Sequence, residues 1–404
     1  MCLLLSMAFV CSAVSLTTAQ GDDHDCEWLF LVYLDADNNL DQYTETDLEE
    51  LKEVGSTGDI EVYVLVDRLE DVAHLYYITF DDMDVVEEFP LEGLEVNMGA
   101  EATLSTFFSF TKTAANPKHI ALFFWNHGSG TSGVGVDDTP YVGATESDWL
   151  THQEVMSALA GQKVDVMGCD ECLVGQIETL YEYRVIGKGV HDLDISFIVA
   201  SENFIGWRGF TYGDILEQMT DCIDKTGTVC PRKVAEICVE TFEDMLSIAP
   251  YKSEIVTTYS AIDMDYIVPT VDALNILVAD LSVGMDMYKP LVRAAYSHSK
   301  MPWGSVCYDV IDFPCFVTWI YENAPDDALR AHAYAVLELL PDLIFAVGGS
   351  PNMDNYGYNG MGVMFPTSWN QLTTSNVGMF NKYLMFEFPH LGWVDMLKTF
   401  FGVE

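Results

Sequence analysis

A histidine and a cysteine stand in settings that suit nucleophilic catalysis. His127 follows the apolar run 119–125 and precedes a glycine-rich segment, and Cys172 follows a shorter apolar run at 164–167. An imidazole transfers protons near neutral pH, and a thiolate attacks carbonyl carbon, so the two side chains have the chemistry of acyl transfer. We therefore predict that His127 and Cys172 form a catalytic pair. The alternatives are a structural loop histidine and an inert buried cysteine.

Asp170 lies two residues before Cys172. In an extended segment, residues two apart point to the same side, so the Asp170 carboxylate is expected to line the pocket next to the thiol. There it would pair with an arginine or lysine at P1, the residue before the cleaved bond. The alternative is that Asp170 or Glu171 caps the next helix. We predict that this helix, at 173–181, lowers the pKa of the Cys172 thiol through its dipole.

Alternating β-rich and helical segments predict an α/β fold with a mostly parallel sheet covered by helices on both faces. Reactive groups in such sheets lie outside the carboxyl ends of the strands, where His127 and Cys172 are expected. The predicted strands are 28–34, 60–66, 73–80, 119–125, 164–167 and 197–200, and the predicted helices are 38–54, 100–113, 151–160, 173–181 and 212–219.

The pattern changes after about residue 222. We predict a catalytic core at 21–221 and an α/β extension at 222–404 that packs on it. The extension is expected to hold a helix at 231–246, a strand at 255–262, a long helical region at 268–297 and a last strand at 357–365.

Composition excludes some partners. The chain has 404 residues, with 63 acidic and 18 basic side chains and a net charge of −45. A nucleic acid would be repelled, whereas basic peptides would be attracted. Residues 1–20 are apolar and small, which predicts a signal peptide and a secreted or extracytoplasmic protein; a membrane anchor is the alternative. No other segment is expected to cross a membrane, and the oligomeric state is left open.

The chain has ten cysteines. Cys222 and Cys230 flank a polar turn, and Cys307 and Cys315 have the same separation, so we predict that each pair forms a small disulfide loop. If Cys172 stays reduced and the two cysteines of the signal segment are removed, at least one further thiol is left over.

Several patches together resemble the clostripain family of cysteine peptidases. The patches are residues 33–40, 126–130, 170–175, 200–202 and 308–313. The resemblance implies a caspase-like α/β fold and a peptidase that cleaves after arginine or lysine. It also implies that Cys172 is the nucleophile, that His127 is the general base or acid, and that the amides of Gly128 and Cys172 form the oxyanion hole. By the same match, Asp170 binds the basic P1 residue.

Two features depart from that family. The residue between the pocket aspartate and the cysteine is usually small in the family but is Glu171 here, and we expect this carboxylate to take part in substrate binding. Some relatives also cut themselves between the histidine and the cysteine. Lys163 is the only basic residue in that interval and adjoins a predicted strand. We therefore predict activity without processing at Lys163.

No cofactor is expected for the chemistry. Relatives can depend on calcium, so a calcium ion is kept as a possibility without a predicted site. Asp35, Asp37 and Asn39 have the spacing of a calcium loop, but Leu40 occupies the position that needs glycine, so we do not predict an EF-hand.

Parts of the sequence are also compatible with three other functions. Residues 128–133 match G-x-G-x-x-G after a strand, but a polar, turn-rich segment follows where a dinucleotide site needs a helix. Cys169 and Cys172 have the C-x-x-C spacing of a thiol oxidoreductase, which would leave His127 and Asp170 without a role. An inactive binding protein on a peptidase scaffold is the third; the intact catalytic residues oppose it.

Overall fold

The computed structural model describes residues 24–403, except 70, 249–256, 302–309, 352, 354–357 and 375–382. The predicted signal peptide therefore lies outside the described residues. None of the helices in the described ranges is both long enough and apolar enough to span a membrane.

A nine-stranded mixed sheet forms the centre of the molecule. Its strand order is β12-β10-β9-β8-β5-β1-β2-β3-β4. The five inner strands from β9 to β2 run parallel, and the strands beyond them on both sides are antiparallel. The strands of this sheet are Cys26–Ala36 (β1), Ile60–Arg68 (β2), His74–Thr79 (β3), Asp82–Val85 (β4), Pro117–Trp125 (β5), Lys163–Asp170 (β8), Asp194–Ala200 (β9), Thr258–Asp263 (β10) and Ile344–Gly349 (β12).

Two small antiparallel sheets lie outside the main one. Val134–Asp137 (β6) pairs with Asp148–Leu150 (β7), and Val310–Asp312 (β11) pairs with Gly362–Met364 (β13).

Helices cover both faces of the main sheet. They are Thr44–Lys52 (α1), Glu101–Ala115 (α2), His152–Ala158 (α3), Ile177–Glu182 (α4), Lys188–Val190 (α5), Tyr212–Thr226 (α6), Pro231–Ser247 (α7), Ile267–Val283 (α8), Met285–His298 (α9), Phe313–Asn323 (α10), Asp327–Leu337 (α11), Leu340–Leu343 (α12), Trp369–Thr374 (α13) and Trp393–Phe401 (α14).

Strand β1 shows why this sequence forms a sheet buried on both sides. Phe30 and Val32 pack in one apolar core with α1, α6 and α7, whereas Leu29 and Leu31 pack in a second core with α2, α3, α4 and α8. Alternate residues of a strand point to opposite faces, so a continuous apolar run gives a central strand with two buried faces. This burial fixes the sheet edge at which the functional side chains emerge.

The mostly parallel α/β architecture predicted from the sequence is confirmed. The predicted boundary at residue 222 falls inside α6. Strands β10 and β12 also pair within the main sheet, so the C-terminal segment completes that sheet as well as packing on it. The long helical region predicted at 268–297 is two helices, α8 and α9.

Candidate active site

A cleft of about 800 Å³ opens where the parallel strands end. His127 follows β5 by two residues, Cys172 follows β8 by two residues, and both line this cleft together with Asp170 and Gly128. Strands β5 and β8 are hydrogen-bonded neighbours, with Trp125 opposite Asp170 in the register. The structure thus brings the predicted catalytic pair to one site.

Asn39 holds the His127 ring. The Nε2 of His127 lies 2.9 Å from the Oδ1 of Asn39, which stands just past the end of β1. An amide oxygen can only accept a hydrogen bond, so Nε2 carries the proton and Nδ1 is the basic nitrogen. Burial lowers the pKa of His127, an effect that the nearby charge of Asp138 opposes. Sequence reasoning found no residue to orient this histidine.

The Cys172 thiol is in an environment that keeps it protonated. Burial, with smaller contributions from Glu171 and Asp170, raises its pKa to about 11, although the Ile205 amide donates to Sγ over 3.4 Å. The predicted lowering by a helix dipole is wrong, because the next helix, α4, begins only at Ile177.

The backbone after the thiol is shaped by long-range contacts. Leu173 has φ of 65°, in the left-handed region that side chains disfavour. Its amide donates to the carbonyl of Asn203 over 3.0 Å, and the Gly175 amide donates to the carbonyl of Ser201 over 2.8 Å. The loop that follows β9 therefore holds the Cys172 loop in place, at a local cost of order 1–3 kcal/mol.

Gly128 lies against the backbone of Cys172. A Cβ at position 128 would come within 2.2 Å of the Cys172 carbonyl oxygen and 3.0 Å of its amide nitrogen, so only glycine fits. Among the described residues, neither of these two amides donates a hydrogen bond to a protein acceptor. Two free amides beside a thiol suit the stabilisation of an oxyanion.

Asp170 lies in the wall of the cleft and is only 4% exposed. Its Oδ2 accepts from the Phe210 amide and the Tyr212 hydroxyl, each over 3.0 Å, and its Oδ1 accepts from the Tyr259 hydroxyl over 2.9 Å. Burial raises its pKa to about 6, and these three donors oppose the rise. A fixed carboxylate therefore remains charged at neutral pH.

Gly209 opens the approach to that carboxylate. It has φ of 55°, and a Cβ there would come within 2.1 Å of the Asp170 Oδ1. The rings of Tyr43 and Trp207 stack with their centroids 5.0 Å apart, and both line the same cleft. An aromatic pair and a buried carboxylate in one cleft suit a long cationic side chain with an apolar stem.

Glu171 is not in the cleft. Its side chain is 1% exposed and lines a narrow gap behind the site, together with Asp35 and Gly135. Burial, followed by the charge of Asp170, raises its pKa well above the usual range. The expected contribution of Glu171 to substrate binding is therefore not supported, because in the strand-like segment it points away from Asp170 and Cys172.

Among the described residues, the predicted C-x-x-C pair forms no disulfide. Cys169 is completely buried in β8 and is a free thiol, as is Cys172. The predicted Cys222–Cys230 disulfide is not formed, and both residues are free thiols, as is Cys315. Cys307, the predicted partner of Cys315, lies outside the described residues. The segment 128–133 is likewise no dinucleotide site, because a short 3₁₀ turn lies within it and strand β6, not a helix, follows it.

Among the described residues, one group of acidic side chains is close enough to hold a metal ion. It comprises Asp37, Asp67 and Asp137, from the ends of β1, β2 and β6. Asn39, which contacts His127, is two residues from Asp37.

A caspase-like α/β sheet with a cysteine and a histidine at its carboxyl edge defines a class, the cysteine peptidases. The sequence profile of the clostripain family (peptidase C11) matches residues 32–347, and the chain belongs to this family. Clostripain of Hathewaya histolytica is 29% identical over 220 residues, which span 47% of this chain and 41% of that protein. The chain thus matches less than half the length of this relative.

Solved structures share the fold. A secreted C11 cysteine protease from Bacteroides thetaiotaomicron, in complex with an irreversible peptide inhibitor, superposes with a TM-score of 0.65 at 15% identity and covers 91% of this chain and 99% of its own. An inactive zymogen C11 protease from Parabacteroides distasonis gives a TM-score of 0.61 at 15% identity, with 91% and 98% covered. At this identity the likeness concerns the fold.

Proposed function

We propose that this chain is an endopeptidase that cleaves after arginine or lysine, with Cys172 as nucleophile and His127 as general base and acid. The observation that carries the proposal is the position of Asp170, a buried carboxylate in the wall of the cleft that also holds the thiol and the imidazole. Family membership supports the class of reaction.

The resting pair is expected to be neutral. The pKa of Cys172 is raised to about 11 and that of His127 is lowered, so thiol and imidazole are the favoured forms at neutral pH. His127 Nδ1 then takes the thiol proton as sulfur attacks the scissile carbonyl carbon. The same nitrogen donates that proton to the leaving amine, and water releases the acyl group from the enzyme.

The oxyanion formed in each step needs donors. The free amides of Gly128 and Cys172 are adjacent, since a Cβ at 128 would lie 3.0 Å from the Cys172 nitrogen. We assign them this role, which for one donor in a well-studied protease is worth about 10²- to 10³-fold in rate.

Specificity would come from Asp170. A guanidinium or ammonium group would pass the ring pair of Tyr43 and Trp207 and meet a carboxylate that three donors already fix in place. Fixed geometry reduces the entropy lost on binding. The net negative charge of the chain, which has 63 acidic and 18 basic residues, would also attract basic peptides.

We further propose that the protein is exported. The apolar segment 1–20 supports this, and a structural neighbour is described as a secreted protease. Amino-terminal sequencing of protein purified from culture medium tests it: a start near residue 21 is expected, and an intact Met1 on mature protein would contradict it.

The test of the peptidase proposal uses matched fluorogenic peptides with Arg, Lys, Leu or Asp at P1. The wild type is expected to cleave the Arg and Lys peptides much faster than the Leu and Asp peptides, and Cys172→Ala is expected to cleave none of them. Asp170→Asn is expected to lose the preference, whereas Glu171→Gln, the matched control from the adjacent position, keeps it. Cleavage by Cys172→Ala, or a preference for Asp at P1, would contradict the assignment.

A further inference from the structure

Two buried carboxyls meet beside the residues that hold the Cys172 loop. Glu202 lies two residues past the end of β9, Asp312 ends β11, and both side chains are 0% exposed. The two carboxyls are in hydrogen-bonding contact with each other. They belong to the sequence patches 200–202 and 308–313, to which the proposed mechanism gives no role.

No basic side chain neutralises this pair. Among the described residues, no lysine, arginine or histidine forms an ion pair with Glu202 or Asp312. Two ionised carboxylates in contact away from water repel each other, so we expect the pair to hold one proton between them. Burial raises the pKa of both carboxyls, and the charge of Asp312 raises the pKa of Glu202 further. Glu202 is therefore the partner expected to carry the proton.

Other titratable groups face the pair from the next helix. The Cys315 thiol lies in the first turn of α10, which Asp312 caps by accepting from the Cys315 amide over 2.6 Å. Burial, opposed by a hydrogen bond from Ser299, raises the pKa of this thiol, so it is neutral at neutral pH. Glu322, near the end of the same helix, acts on that thiol with a smaller effect.

Consecutive residues 359 and 360 bind the two carboxyls. The Gly360 amide donates to Glu202 Oε1 over 2.8 Å, and the amide and the side chain of Asn359 both donate to Asp312. Gly360 has φ of 92°, and a Cβ there would come within 2.8 Å of the Ser260 side chain, so the turn requires glycine. Glu202 Oε2 accepts no hydrogen bond within the described part of the chain, which leaves this oxygen to the shared proton.

The same elements hold the Cys172 loop. The carbonyls of the two residues that flank Glu202 accept the amides of Leu173 and Gly175, over 3.0 Å and 2.8 Å. The Gly362 amide, two residues after the glycine that binds Glu202, donates to the Gly175 carbonyl over 2.9 Å. Because Leu173 has a left-handed backbone, its conformation depends on such outside support.

We propose that Glu202 and Asp312, joined by one shared proton, position the Cys172 loop for catalysis, so that Glu202 is a positioning residue of the active site. Neither carboxyl lines the cleft, so the pair acts through the loop and does not touch substrate. The positioning role rests on the proposed peptidase function, whereas the shared proton does not.

The proposal implies a dependence on pH with a definite sign. A raised pKa means that folded protein keeps a proton that the unfolded chain has lost. The free energy of unfolding therefore falls as the pH rises from about 4.3, the usual pKa of a glutamate, through the pKa of the folded pair. Above that second pKa the two carboxylates repel each other beside the Cys172 loop, so kcat is also expected to fall.

Glutamine at position 202 imitates the protonated acid. Its carbonyl can accept from the Gly360 amide while its amide group donates to Asp312, and it carries no proton to lose. Glu202→Gln should keep kcat on an Arg peptide within about 3-fold of the wild type and move the alkaline fall of kcat up by about one pH unit or more. Glu202→Ala should lower kcat about 10- to 100-fold with little change in KM, because the loop loses its support.

Asp312→Asn tests which carboxyl carries the proton. Both oxygens of Asp312 accept N–H donors, from Asn359 and Cys315, so an amide nitrogen in either orientation would face a donor. We expect this variant to lose kcat as Glu202→Ala does. Glu182→Gln is the matched control, since Glu182 is a 4% exposed carboxyl on α4 that accepts a backbone amide, and it should leave kcat and the pH profile unchanged.

Circular dichroism shows whether each variant is folded, and Glu202→Gln keeps the test valid if Glu202→Ala is not. A Glu202→Gln variant as slow as Glu202→Ala, or one whose alkaline fall coincides with that of the wild type, would overturn the positioning role. An Asp312→Asn variant that is faster than Glu202→Gln would overturn the assignment of the proton to Glu202.

The shared proton has a readout that needs no peptidase activity. In a Cys172→Ala background, raising the pH from about 6 to about 8 should lower Tm by about 3–5 °C more with Glu202 than with glutamine at this position. Equal falls in Tm would overturn the shared proton. A larger fall with Glu202, in a protein whose wild type cleaves none of the peptides, would support the proton pair and refute the peptidase proposal, so the two failures are distinguishable.

Discussion

His127 Nε2 donates to Asn39 Oδ1 over 2.9 Å, which ties the imidazole after β5 to the loop that leaves β1. The bond fixes the tautomer, with Nδ1 as the base. It spans 88 residues of sequence and joins neighbouring strands of the sheet.

Asn39→Ala is expected to lower kcat by about 10- to 100-fold with little change in KM, since the ring loses its orientation but the P1 pocket is untouched. Asn39→Asp retains the acceptor and should recover part of the rate, with a raised His127 pKa in the pH profile. Steady-state kinetics on an Arg peptide measure both. A kcat of Asn39→Ala equal to that of the wild type would show that the bond has no role in positioning.

Asp170→Asn is expected to reduce kcat/KM on Arg and Lys peptides by about 10²- to 10³-fold, because the P1 cation loses its buried counter-charge. Activity on a Leu peptide should change little or rise. Glu171→Gln is the matched control, since that side chain faces the gap behind the site. Equal losses on Arg and Leu peptides would indicate structural damage and contradict the specificity role.

The fall of kcat/KM on the acid side of the pH profile should reflect protonation of Asp170. Burial raises its pKa to about 6, so as the pH falls through 6 the carboxylate gains a proton and its attraction for a P1 cation is lost. The carboxyls of Asp47 and Glu50 lie close enough to interact with Asp170 and have pKa values raised to about 9 and about 7, mainly by burial. We expect kcat/KM on an Arg peptide to fall below about pH 6.

The comparison substrate is a Leu peptide, for which the fall due to Asp170 should be absent, so that the remaining acid side of the profile reflects His127, whose pKa burial lowers. Asp170→Asn should remove this fall from the Arg profile as well. Superimposable Arg and Leu profiles would exclude Asp170 as the titrating group.

Active enzyme is expected to keep the chain intact between His127 and Cys172. Lys163 is the first residue of β8, its Nζ lies 2.6 Å from Asp165, and it is paired in register with Asp194, so a protease would have to unravel the strand to cut there. Mass spectrometry of active protein should show an uncleaved segment, and Lys163→Ala should retain full activity. Activity that appears only with cleavage at Lys163 would refute this.

The catalytic pair could be predicted from the sequence because His127 and Cys172 each lie a few residues after a segment that reads as a buried strand. A strand buried on both faces leaves the sheet at its carboxyl end, and parallel neighbours leave at the same edge, so His127 and Cys172 had to be close. The position of the Asp170 side chain in the cleft was predicted only from its spacing of two residues to Cys172. Because side chains alternate along an extended segment, the same reasoning would have placed the Glu171 side chain on the side opposite Asp170 and Cys172.

Other features depend on contacts that no local pattern reveals. Asn39 is an exposed polar residue whose role comes from its contact with His127. The acidic group of Asp37, Asp67 and Asp137 is brought together from the ends of three strands that are far apart in the sequence. The prediction of a helix directly after Cys172 was wrong for a similar reason. The apolar segment there is held in an irregular loop by hydrogen bonds to the chain after β9, and Leu173 takes a left-handed backbone.

The most direct test of the central claim is covalent labelling by a peptidyl acyloxymethyl ketone with arginine at P1, followed by peptide mapping. We predict a single adduct on Cys172 in the wild type, much slower labelling of His127→Ala and of Asp170→Asn, and slow labelling by the matched leucine reagent. An adduct on another residue, or equal labelling rates with the arginine and leucine reagents, would contradict the account.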